Sequence, residues 1–379
     1  MKLSILLSSL LLATVSAHPG GHHEERAVSS QSSHPTYPTN TTLAPNWWND
    51  IVPYGGINTF AHLPHVFCLS QPSETFDIAL IGAPFDTATS YRPGARFGPR
   101  ALRAGSQRQI PAASYNALTG VNPYASWAKI TDCGDIPLTS FSSELALAQM
   151  TSAFEEIMTH KTPSGGSPLL VTLGGDHSII LGALRAVNKI HGQVAVLHFD
   201  AHLDTWDPRF YVGTPFTHGT MLNLAGREGL ISNNSNVHAG LRTALVGMGD
   251  YRDDTEQGWL RIGSEDIDDL GAKGVVEKIV QRLKGKKVYL SFDIDTLDPA
   301  VAPGTGTPEV GGWTMREVKR ILRGITTAED VELVGMDIVE VAPAYDNQGE
   351  ITALAGAQVV FEVLSGYVKK GELAGKKAA

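Results

Sequence analysis

From about residue 47 onward, short apolar runs rich in β-branched residues alternate with longer segments of helical period. This alternation is typical of a parallel sheet whose strands are connected by helices that cover both faces. The predicted strands are 78–82, 169–173, 194–199, 244–247, 288–292 and 333–338. The predicted helices are about 142–160, 178–190, 219–229, 273–284, 315–327 and 351–367. Thr314 and Glu317 form the sequence pattern of a capping box before the fifth helix. We predict one α/β domain, because no repeat or second linker interrupts the pattern.

The two ends of the chain differ from this central part. Residues 1–17 carry Lys2, an apolar run and small residues before Ala17, which is the pattern of a cleaved secretory signal. Residues 18–45 are rich in Ser, Pro, Thr and His, so burial cannot offset the entropy lost on ordering. We therefore predict a signal peptide, a flexible tail to residue 45, one globular domain over 46–368 and a flexible C-terminal tail over 369–379.

The bulk composition limits the partners of this chain. It has 379 residues, 42% of them hydrophobic, and a formal charge of −9 without any basic block. Nucleic-acid phosphates need clustered Lys and Arg, so we exclude a nucleic-acid partner. The apolar run of the signal is shorter than the about 20 residues that span a bilayer, so we expect no membrane partner and a secreted, soluble mature protein.

The cysteines and the glycosylation sequons leave two questions open. Cys68 and Cys133 are the only cysteines, so the chain is no disulfide-built scaffold, and the sequence does not decide whether they pair. Asn40 and Asn233 begin sequons, which fit a secreted glycoprotein and also occur by chance. Their occupancy stays open.

Six polar side chains follow the carboxyl ends of three predicted strands. In chain order they are His177, Asp200, His202, Asp204, Asp293 and Asp295. The three residues from Asp200 to Asp204 and the pair Asp293 and Asp295 are each spaced by two, so an extended segment projects each set to one side. Two glycines let the backbone turn before His177. Because open parallel sheets bind ligands at the carboxyl ends of their strands, we expect one shared crevice.

The chemistry of this set indicates a metal site. Oxygen and nitrogen ligands without a thiolate suit a hard to borderline divalent ion such as manganese. Four ionised Asp side chains carry −4, which two divalent cations match, whereas one cation would leave buried charge uncompensated. Any one of these Asp residues alone is more typical of a helix cap or a solvated loop. Three strand ends with the same chemistry favour the metal hypothesis.

Three segments resemble the signature motifs of the ureohydrolase (arginase and agmatinase) family, in the order that the family has. They are Gly174-Gly175-Asp176-His177-Ser178, Asp200-Ala201-His202-Leu203-Asp204 and Ser291-Phe292-Asp293-Ile294-Asp295. Three further segments are similar to agmatinase-type members. They are residues 81–86, 90–99 and 303–309. The resemblance covers roughly residues 54–368. Leu203 departs from the small hydroxyl residue of many relatives, but alternation turns it away from the metals.

The resemblance implies a three-layer α/β/α sandwich with a central, mostly parallel sheet, as in arginases, and a binuclear manganese centre. One Mn²⁺ would be held by His177, Asp200, Asp204 and Asp293. The other would be held by Asp200, His202, Asp293 and Asp295. Asp200 and Asp293 would therefore bridge the two ions. The resemblance also implies a homo-oligomer, commonly a trimer or a hexamer.

Three residues are expected to act on the substrate. As a terminal ligand, Asp204 can accept a proton and pass it to the leaving amine, which is the role that the family gives it. Glu340 matches the family carboxylate that clamps the substrate guanidinium, where a paired contact gives orientation as well as charge. His218 matches the family histidine that borders the site and is expected to shuttle protons.

The far end of the substrate is less defined. The loop over 205–217 does not resemble the arginase loop that holds an amino acid, and the remaining motifs lean toward agmatine. Asp207 could pair an amine and Arg209 a carboxylate, or either could face solvent.

Three functions are therefore kept. The first is an agmatinase-like amidinohydrolase of polyamine biosynthesis that gives putrescine and urea. The second is the same chemistry on guanidinobutyrate, guanidine, arginine or a formimino compound. The third, of another class, is a catalytically idle secreted binding protein. Four buried Asp side chains would be costly to retain without cations, which disfavours the third.

Overall fold

The computed structural model describes residues 52–376, with an eight-stranded sheet at their centre. The strands are β1 (Ile78–Gly82), β2 (Ile130–Asp135), β3 (Leu169–Leu173), β4 (Ala195–Phe199), β5 (Asn236–Leu241), β6 (Trp259–Gly263), β7 (Lys286–Asp293) and β8 (Val331–Val339). Their order across the sheet is β2-β1-β3-β8-β7-β4-β5-β6, and every neighbouring pair is parallel. The predicted parallel sheet is confirmed.

Helices cover both faces of the sheet. In the part of the chain that the structure describes, the α-helices are α1 (Gly98–Gly105), α2 (Ser143–Thr159), α3 (Ile180–His191), α4 (Met221–Arg227), α5 (Met248–Glu256), α6 (Asp266–Leu283), α7 (Met315–Thr326) and α8 (Ile351–Leu373). Helices α1, α6, α7 and α8 bury one apolar cluster, and α2, α3 and α4 bury a second. Alternate residues of β1 enter the two clusters, as the period of a strand requires. The fold is the expected α/β/α sandwich.

One predicted strand is wrong. Residues 244–247 lie in a largely exposed connection, and the strand of this region is β5, all six residues of which are buried. Asn236 and His238 interrupt its apolar pattern, so the sequence does not show the apolar run by which the other strands were predicted. The side chain of Asn236 accepts from the backbone of Val196 in the neighbouring strand β4, which makes its burial tolerable. Strands β2 and β6 and helices α1 and α5 were also not predicted.

The last helix is longer than predicted. It continues to Leu373, so the first residues of the predicted tail over 369–379 are helical. The ammonium of Lys370 donates to the carbonyl oxygens of Ala328 and Val331, which fixes this end on the fold. By length and composition α8 could cross a membrane, but 72% of its apolar window is buried inside the protein. It is a core helix of the sandwich.

Helix α7 begins as the sequence predicts. The Thr314 hydroxyl accepts from the backbone of Glu317, and the Glu317 carboxylate accepts from the backbone of Thr314. The capping box is therefore confirmed. The predictions for residues 1–45, including the signal peptide and Asn40, lie outside the described residues.

The four central strands bring the candidate site together. In the order β3-β8-β7-β4, Leu173 pairs with Ile338, Asp293 with Val339, and Phe199 with Phe292. The residues that follow these positions therefore leave the sheet at the same level. Since all four strands are parallel, their carboxyl ends form one edge, where ligands of open sheets bind.

Candidate metal centre and active site

Four of the predicted ligands meet around the imidazole of His177. Its Nδ1 lies 3.0 Å from Oδ2 of Asp200, 3.3 Å from Oδ2 of Asp204 and 3.2 Å from Oδ2 of Asp293. All four side chains are at most 8% exposed. Asp204 has a φ of 57°, in the left-handed region that residues other than glycine seldom adopt. The surrounding contacts hold this strained backbone, as is common at functional sites.

The remaining two ligands form a second group that shares Asp200. Nδ1 of His202 lies 3.2 Å from Oδ1 of Asp200 and 3.0 Å from Oδ2 of Asp295. Oδ1 of Asp295 accepts from the backbone of Ala201 at 3.0 Å, so the loop after β4 fixes the carboxylate of the loop after β7. The structure therefore brings all six predicted ligands into two adjoining groups.

The cluster fits divalent cations by its charge and by its unpartnered atoms. Among the described residues, His177 Nδ1 and Asp200 Oδ2 are buried without a hydrogen-bond partner. Burial raises the pKa of Asp293 well above its usual range, and the Asp295 and Asp200 carboxylates raise it further. Burial and then Asp200 raise the pKa of Asp204 to about 6. Crowded buried carboxylates need compensating charge, which two divalent ions provide.

A hydrogen-bond chain prepares His177 to act as a ligand. The Ser291 hydroxyl donates to Oδ1 of Asp337 at 2.7 Å, and Nε2 of His177 lies 2.7 Å from the same hydroxyl oxygen. A serine hydroxyl has one proton, so it accepts from Nε2–H of His177. The proton on Nε2 leaves Nδ1, which faces the carboxylates, as the nitrogen that would bind a cation.

His198 joins this cluster, although the sequence analysis did not single it out. It lies on β4 two residues before Asp200, and its Nε2 is 3.0 Å from Oδ2 of Asp200. One ligand atom each from His177, His198, Asp200 and Asp204 lie within 4.8 Å of one another. The spacing of two that identified the residues after Asp200 also extends backwards to residue 198. This spacing could have identified His198 as a candidate ligand, but the apolar residues around it indicated a buried strand of the core.

Glu340 follows β8 and faces the same crevice. Its Oε1 accepts from the backbone N–H of His177 at 2.9 Å and from Nδ1 of His218 at 3.1 Å. Its Oε2 is buried and has no hydrogen-bond partner among the described residues. Glu340 also has a left-handed backbone, with a φ of 61°. One carboxylate oxygen is therefore fixed by the protein and the other is open to a donor from a ligand.

His218 connects the crevice to the surface. The backbone N–H of Ser90 donates to its Nε2 at 3.0 Å, so in the neutral ring Nε2 is the bare nitrogen and Nδ1–H donates to Glu340. Burial disfavours the imidazolium, but Glu340, and then Asp204, favour it and raise the pKa of His218 to about 9. Protonation at Nε2 requires that the Ser90 contact open. Since Ser90 is exposed, His218 can exchange a proton with solvent there.

Comparison with known proteins decides the family. The model of the arginase family matches residues 76–366. The chain belongs to the arginase family. "Putative agmatinase 1" of Schizosaccharomyces pombe is 48% identical over 332 residues, which is 83% of each chain. Guanidinobutyrase of Pseudomonas aeruginosa is 39% identical, over 85% of this chain and 97% of that protein. The solved proclavaminate amidino hydrolase from Streptomyces clavuligerus aligns with a TM-score of 0.75 and 35% identity, over 84% of this chain and 99% of that one.

Membership of the arginase family defines the class of chemistry. The expected arginase-like fold is confirmed. The protein is a hydrolase that acts on non-peptide carbon–nitrogen bonds of linear amidines. The alternative of a catalytically idle binding protein finds no support among these relatives.

A cavity of about 1040 Å³ contains the predicted substrate-tail residues in its wall, but none of the six predicted ligands, Glu340 or His218 lines it. Thr205, directly after Asp204, lines it. Asp207 also lines it, and its Oδ2 lies 2.6 Å from Nη2 of Arg209 and 2.9 Å from Nη2 of Arg227. Asp207 and Arg209 therefore already have partners of opposite charge, and neither is free for a substrate group.

His218→Asn is expected to lower kcat by about 10²-fold, since general acid–base groups contribute factors of that order. Asn cannot carry a proton, but it can still donate to Glu340. Because His218 contacts none of the six ligands directly, the metal content should stay at the wild-type value. Turnover under saturating substrate and metal analysis of the same samples check this. Wild-type turnover would refute the shuttle role.

Proposed function

We propose that the protein is a binuclear manganese amidinohydrolase that cleaves a guanidino compound, agmatine in first place, to an amine (putrescine) and urea. One observation carries the proposal: two groups of ligand atoms, buried except for His202, share Asp200, and Glu340, which contacts His177, keeps an unpartnered Oε2. The same chemistry on guanidinobutyrate is the second candidate, since a guanidinobutyrase is 39% identical to this chain.

The assignment of the ions follows the two groups. His177, Asp200, Asp204 and Asp293 would hold the first ion. Asp200, His202, Asp293 and Asp295 would hold the second. Oxygen and nitrogen donors without a thiolate favour manganese. When bound, such ions lower the pKa of water from about 15.7 to about 7 and so supply a nucleophile for a guanidinium carbon.

The side chains of this protein orient the substrate and move its proton. Oε2 of Glu340 accepts from a guanidinium N–H, and its Oε1, fixed by His177 and His218, sets the angle of the carboxylate. The amine leaves only when it is protonated, and Asp204 at the end of the cluster carries the proton to it. His218, between Glu340 and Ser90, exchanges protons with solvent.

Asp250 favours a substrate with a positively charged tail. It lines the same cavity as Thr205 and Asp207, and its Oδ2 accepts from the backbone of Val246 at 2.9 Å. The structure shows no ion pair of Asp250 among residues 52–376, whereas Arg209 and Arg227 of the same wall are both paired with Asp207. The unpaired charge in this wall is therefore negative, which suits the ammonium of agmatine better than the carboxylate of guanidinobutyrate.

The decisive experiment measures product release with and without added Mn²⁺. The panel contains agmatine, guanidinobutyrate, guanidine and arginine, assayed for urea, and a formimino compound, assayed for formamide. We expect the highest kcat/KM with agmatine and loss of activity on chelation. Asp250→Asn should raise KM for agmatine roughly threefold to fivefold and leave KM for guanidinobutyrate unchanged or lower, because a half-buried ion pair contributes up to about 1 kcal/mol. No product from any substrate in the Mn²⁺-loaded protein would refute the proposal.

Acid is expected to release the metal. Burial and Asp200 raise the pKa of Asp204 to about 6, so in the metal-free protein a proton occupies this carboxylate below that pH and a cation competes best above it. Mn²⁺ affinity should therefore fall steadily from pH 7 to pH 5, and metal analysis after gel filtration at each pH measures the change. Full retention near pH 4 would contradict the assignment.

Secretion and assembly are further parts of the proposal. Cys68 and Cys133 form a disulfide, which persists in oxidising compartments, and Asn233 is exposed and so open to glycosylation. Both support a secreted protein whose mature N-terminus is His18. N-terminal sequencing of protein from the medium tests this.

We also propose a homo-oligomer, a trimer or a hexamer, as is usual for this family, and light scattering measures its mass.

A further inference from the structure

Gly306 borders the open side of the Glu340 carboxylate. Its neighbour Thr305 forms an antiparallel bridge with Val341, so this segment runs beside the residues that follow β8. A methyl group added at Gly306 would lie 3.3 Å from Oε2 of Glu340. Gly306 is buried, and so is this oxygen, which has no hydrogen-bond partner among the described residues. The backbone of Gly306 therefore forms one wall of the space in front of Oε2.

The carbonyl oxygen of Arg92 borders the same space. It would lie 2.9 Å from the added methyl group, so both oxygens are within 3.3 Å of one point beside the Gly306 backbone. Among residues 52–376, no N–H or O–H group donates a hydrogen bond to this carbonyl oxygen. Two acceptors without a donor, one from a backbone and one from a buried carboxylate, therefore lie close together.

The loop over 86–97 holds the Arg92 carbonyl in this position. Oδ2 of Asp86 accepts from the backbone N–H of Gly94 at 2.7 Å, and the Tyr345 hydroxyl donates to the carbonyl oxygen of Pro93 at 2.9 Å. A proline restricts the residue before it to extended backbone, which limits the directions that the Arg92 carbonyl can take. The position of this oxygen is therefore fixed from both sides.

The side chain of Arg92 is held elsewhere. Its guanidinium carbon lies 5.1 Å from the centroid of the Tyr91 ring and 5.2 Å from that of the Tyr345 ring. Contacts of a guanidinium with aromatic faces are favourable at such distances. The positive charge of this residue is therefore held on two rings, while its backbone oxygen is the atom that approaches Gly306.

A guanidinium ion matches the two acceptors. Bare acceptors that lie close together are unfavourable when one of them is a buried carboxylate, unless a donor satisfies both. A guanidinium is planar and positively charged, and its N–H groups point outward from all three nitrogens. Its unsubstituted end can therefore donate to a carboxylate oxygen and to a neighbouring carbonyl oxygen at once.

We propose that the carbonyl oxygen of Arg92 is a second acceptor for the unsubstituted end of the substrate guanidinium, beside Oε2 of Glu340, and that Gly306 keeps the space between them open. The inference rests on the proposed function and deepens it. It makes the pocket selective for guanidino compounds whose terminal nitrogens carry no alkyl group. A carbon there would replace a donor N–H and would meet the Gly306 backbone.

Gly306→Ala places a methyl group between the two acceptors. A distance of 2.9 Å to the Arg92 oxygen is too short for a carbon atom, so the carbonyl is displaced or covered. We expect the dissociation constant of guanidinium and the KM for agmatine to rise about 10-fold to 100-fold, the effect of one hydrogen bond to a charged group. The affinity for Mn²⁺ should not change.

Tyr345→Phe loosens the Arg92 carbonyl without adding an atom near Glu340. It removes the hydroxyl that donates to Pro93 and keeps the ring that contacts Arg92. We expect both constants to rise about threefold, the effect of one neutral hydrogen bond. The kcat should keep its wild-type value, because a contact made equally in the ground state and the transition state changes KM alone.

The measurement is a calorimetric titration of Mn²⁺-loaded full-length protein with guanidinium chloride, with urea assayed in the same samples and agmatine kinetics beside it. Gly166→Ala is the matched control for Gly306→Ala, because Gly166 is exposed and its added methyl would make only an ordinary contact of 3.4 Å with Thr162. Tyr115→Phe is the control for Tyr345→Phe, because Tyr115 is 66% exposed. Both controls should bind guanidinium as the wild type does.

The outcomes separate the inference from the function beneath it. Wild-type protein that releases no product from any substrate would reject the proposed function, and the guanidinium titrations would still test the pocket. Wild-type protein that hydrolyses agmatine, with Gly306→Ala and Tyr345→Phe both binding guanidinium equally well, would reject only the role of Arg92. A fall in kcat and in Mn²⁺ affinity at unchanged guanidinium binding would show a merely structural role and reject it too. If Gly306→Ala fails to fold, Tyr345→Phe decides alone, because it removes one hydrogen bond at the surface.

Discussion

Asp204→Asn is expected to lower kcat by roughly 10³-fold or more while the protein keeps its fold. The variant loses a carboxylate that faces His177 and carries the proton to the leaving amine, and general acid–base groups alone contribute about 10²-fold to 10⁴-fold. Asn is among the residues that adopt a positive φ most readily, so it accepts the φ of 57° at this position. The backbone is therefore not the cause of any loss.

Urea release at saturating substrate and Mn²⁺ measures this effect, and circular dichroism checks the fold. Asp268→Asn is the matched control, because Asp268 lies on the exposed side of α6. It should keep the wild-type kcat. If Asp204→Asn also turned over within tenfold of the wild type, Asp204 would not be the proton carrier.

Removal of the disulfide is expected to give the largest loss of stability. Cys68 and Cys133 are 65 residues apart, and closing a loop of that length lowers the entropy of the unfolded chain by an amount worth about 4 kcal/mol at 25 °C. The variant with both cysteines replaced by alanine should therefore unfold at lower denaturant concentration, and its free energy of unfolding should fall by about that value.

Denaturant unfolding under non-reducing conditions measures the difference. Wild-type protein unfolded with a reductant is the control and should match the variant. The bond links the segment before β1 to the edge strand β2, away from the four central strands, so kcat at 25 °C should not change. A loss below about 1 kcal/mol would show that the disulfide contributes little.

The convergence of the six candidate ligands could be predicted because their signal is local. The spacing from Asp200 to Asp204, and the spacing of Asp293 and Asp295, each place carboxylates on one side of a segment that directly follows a strand. Parallel strands then place these segments on one edge of the sheet whatever their order. No knowledge of strand order was needed.

The missed elements contain polar residues whose partners lie elsewhere in the chain. β2 carries Asp132, buried against the guanidinium of Arg103 on α1, and β5 carries His238, buried against Asp254 on α5. A buried charge or imidazole is tolerated only with such a partner, and the pairing depends on the tertiary fold. In the sequence these residues therefore read as interruptions of an apolar strand.

His198 was missed for a related reason. A histidine within an apolar run reads as a residue of the core, and its contact with Asp200 depends on the rotation of both side chains rather than on spacing alone. Its other ring nitrogen contacts His238, which contacts Asp254 in turn, and these residues follow 40 and 56 residues later. Only the assembled sheet shows that chain.

The position of β8 sets the time at which the site can form. It is the last strand to leave the ribosome, and it lies in the middle of the sheet between β3 and β7. Until residues 331–339 are made, β2-β1-β3 and β7-β4-β5-β6 have no strand to join them. His177 then belongs to one half and the aspartates to the other. A nascent or truncated chain that lacks these residues therefore has no complete set of the candidate ligands, and the proposed ions would bind only after the closing strand is inserted.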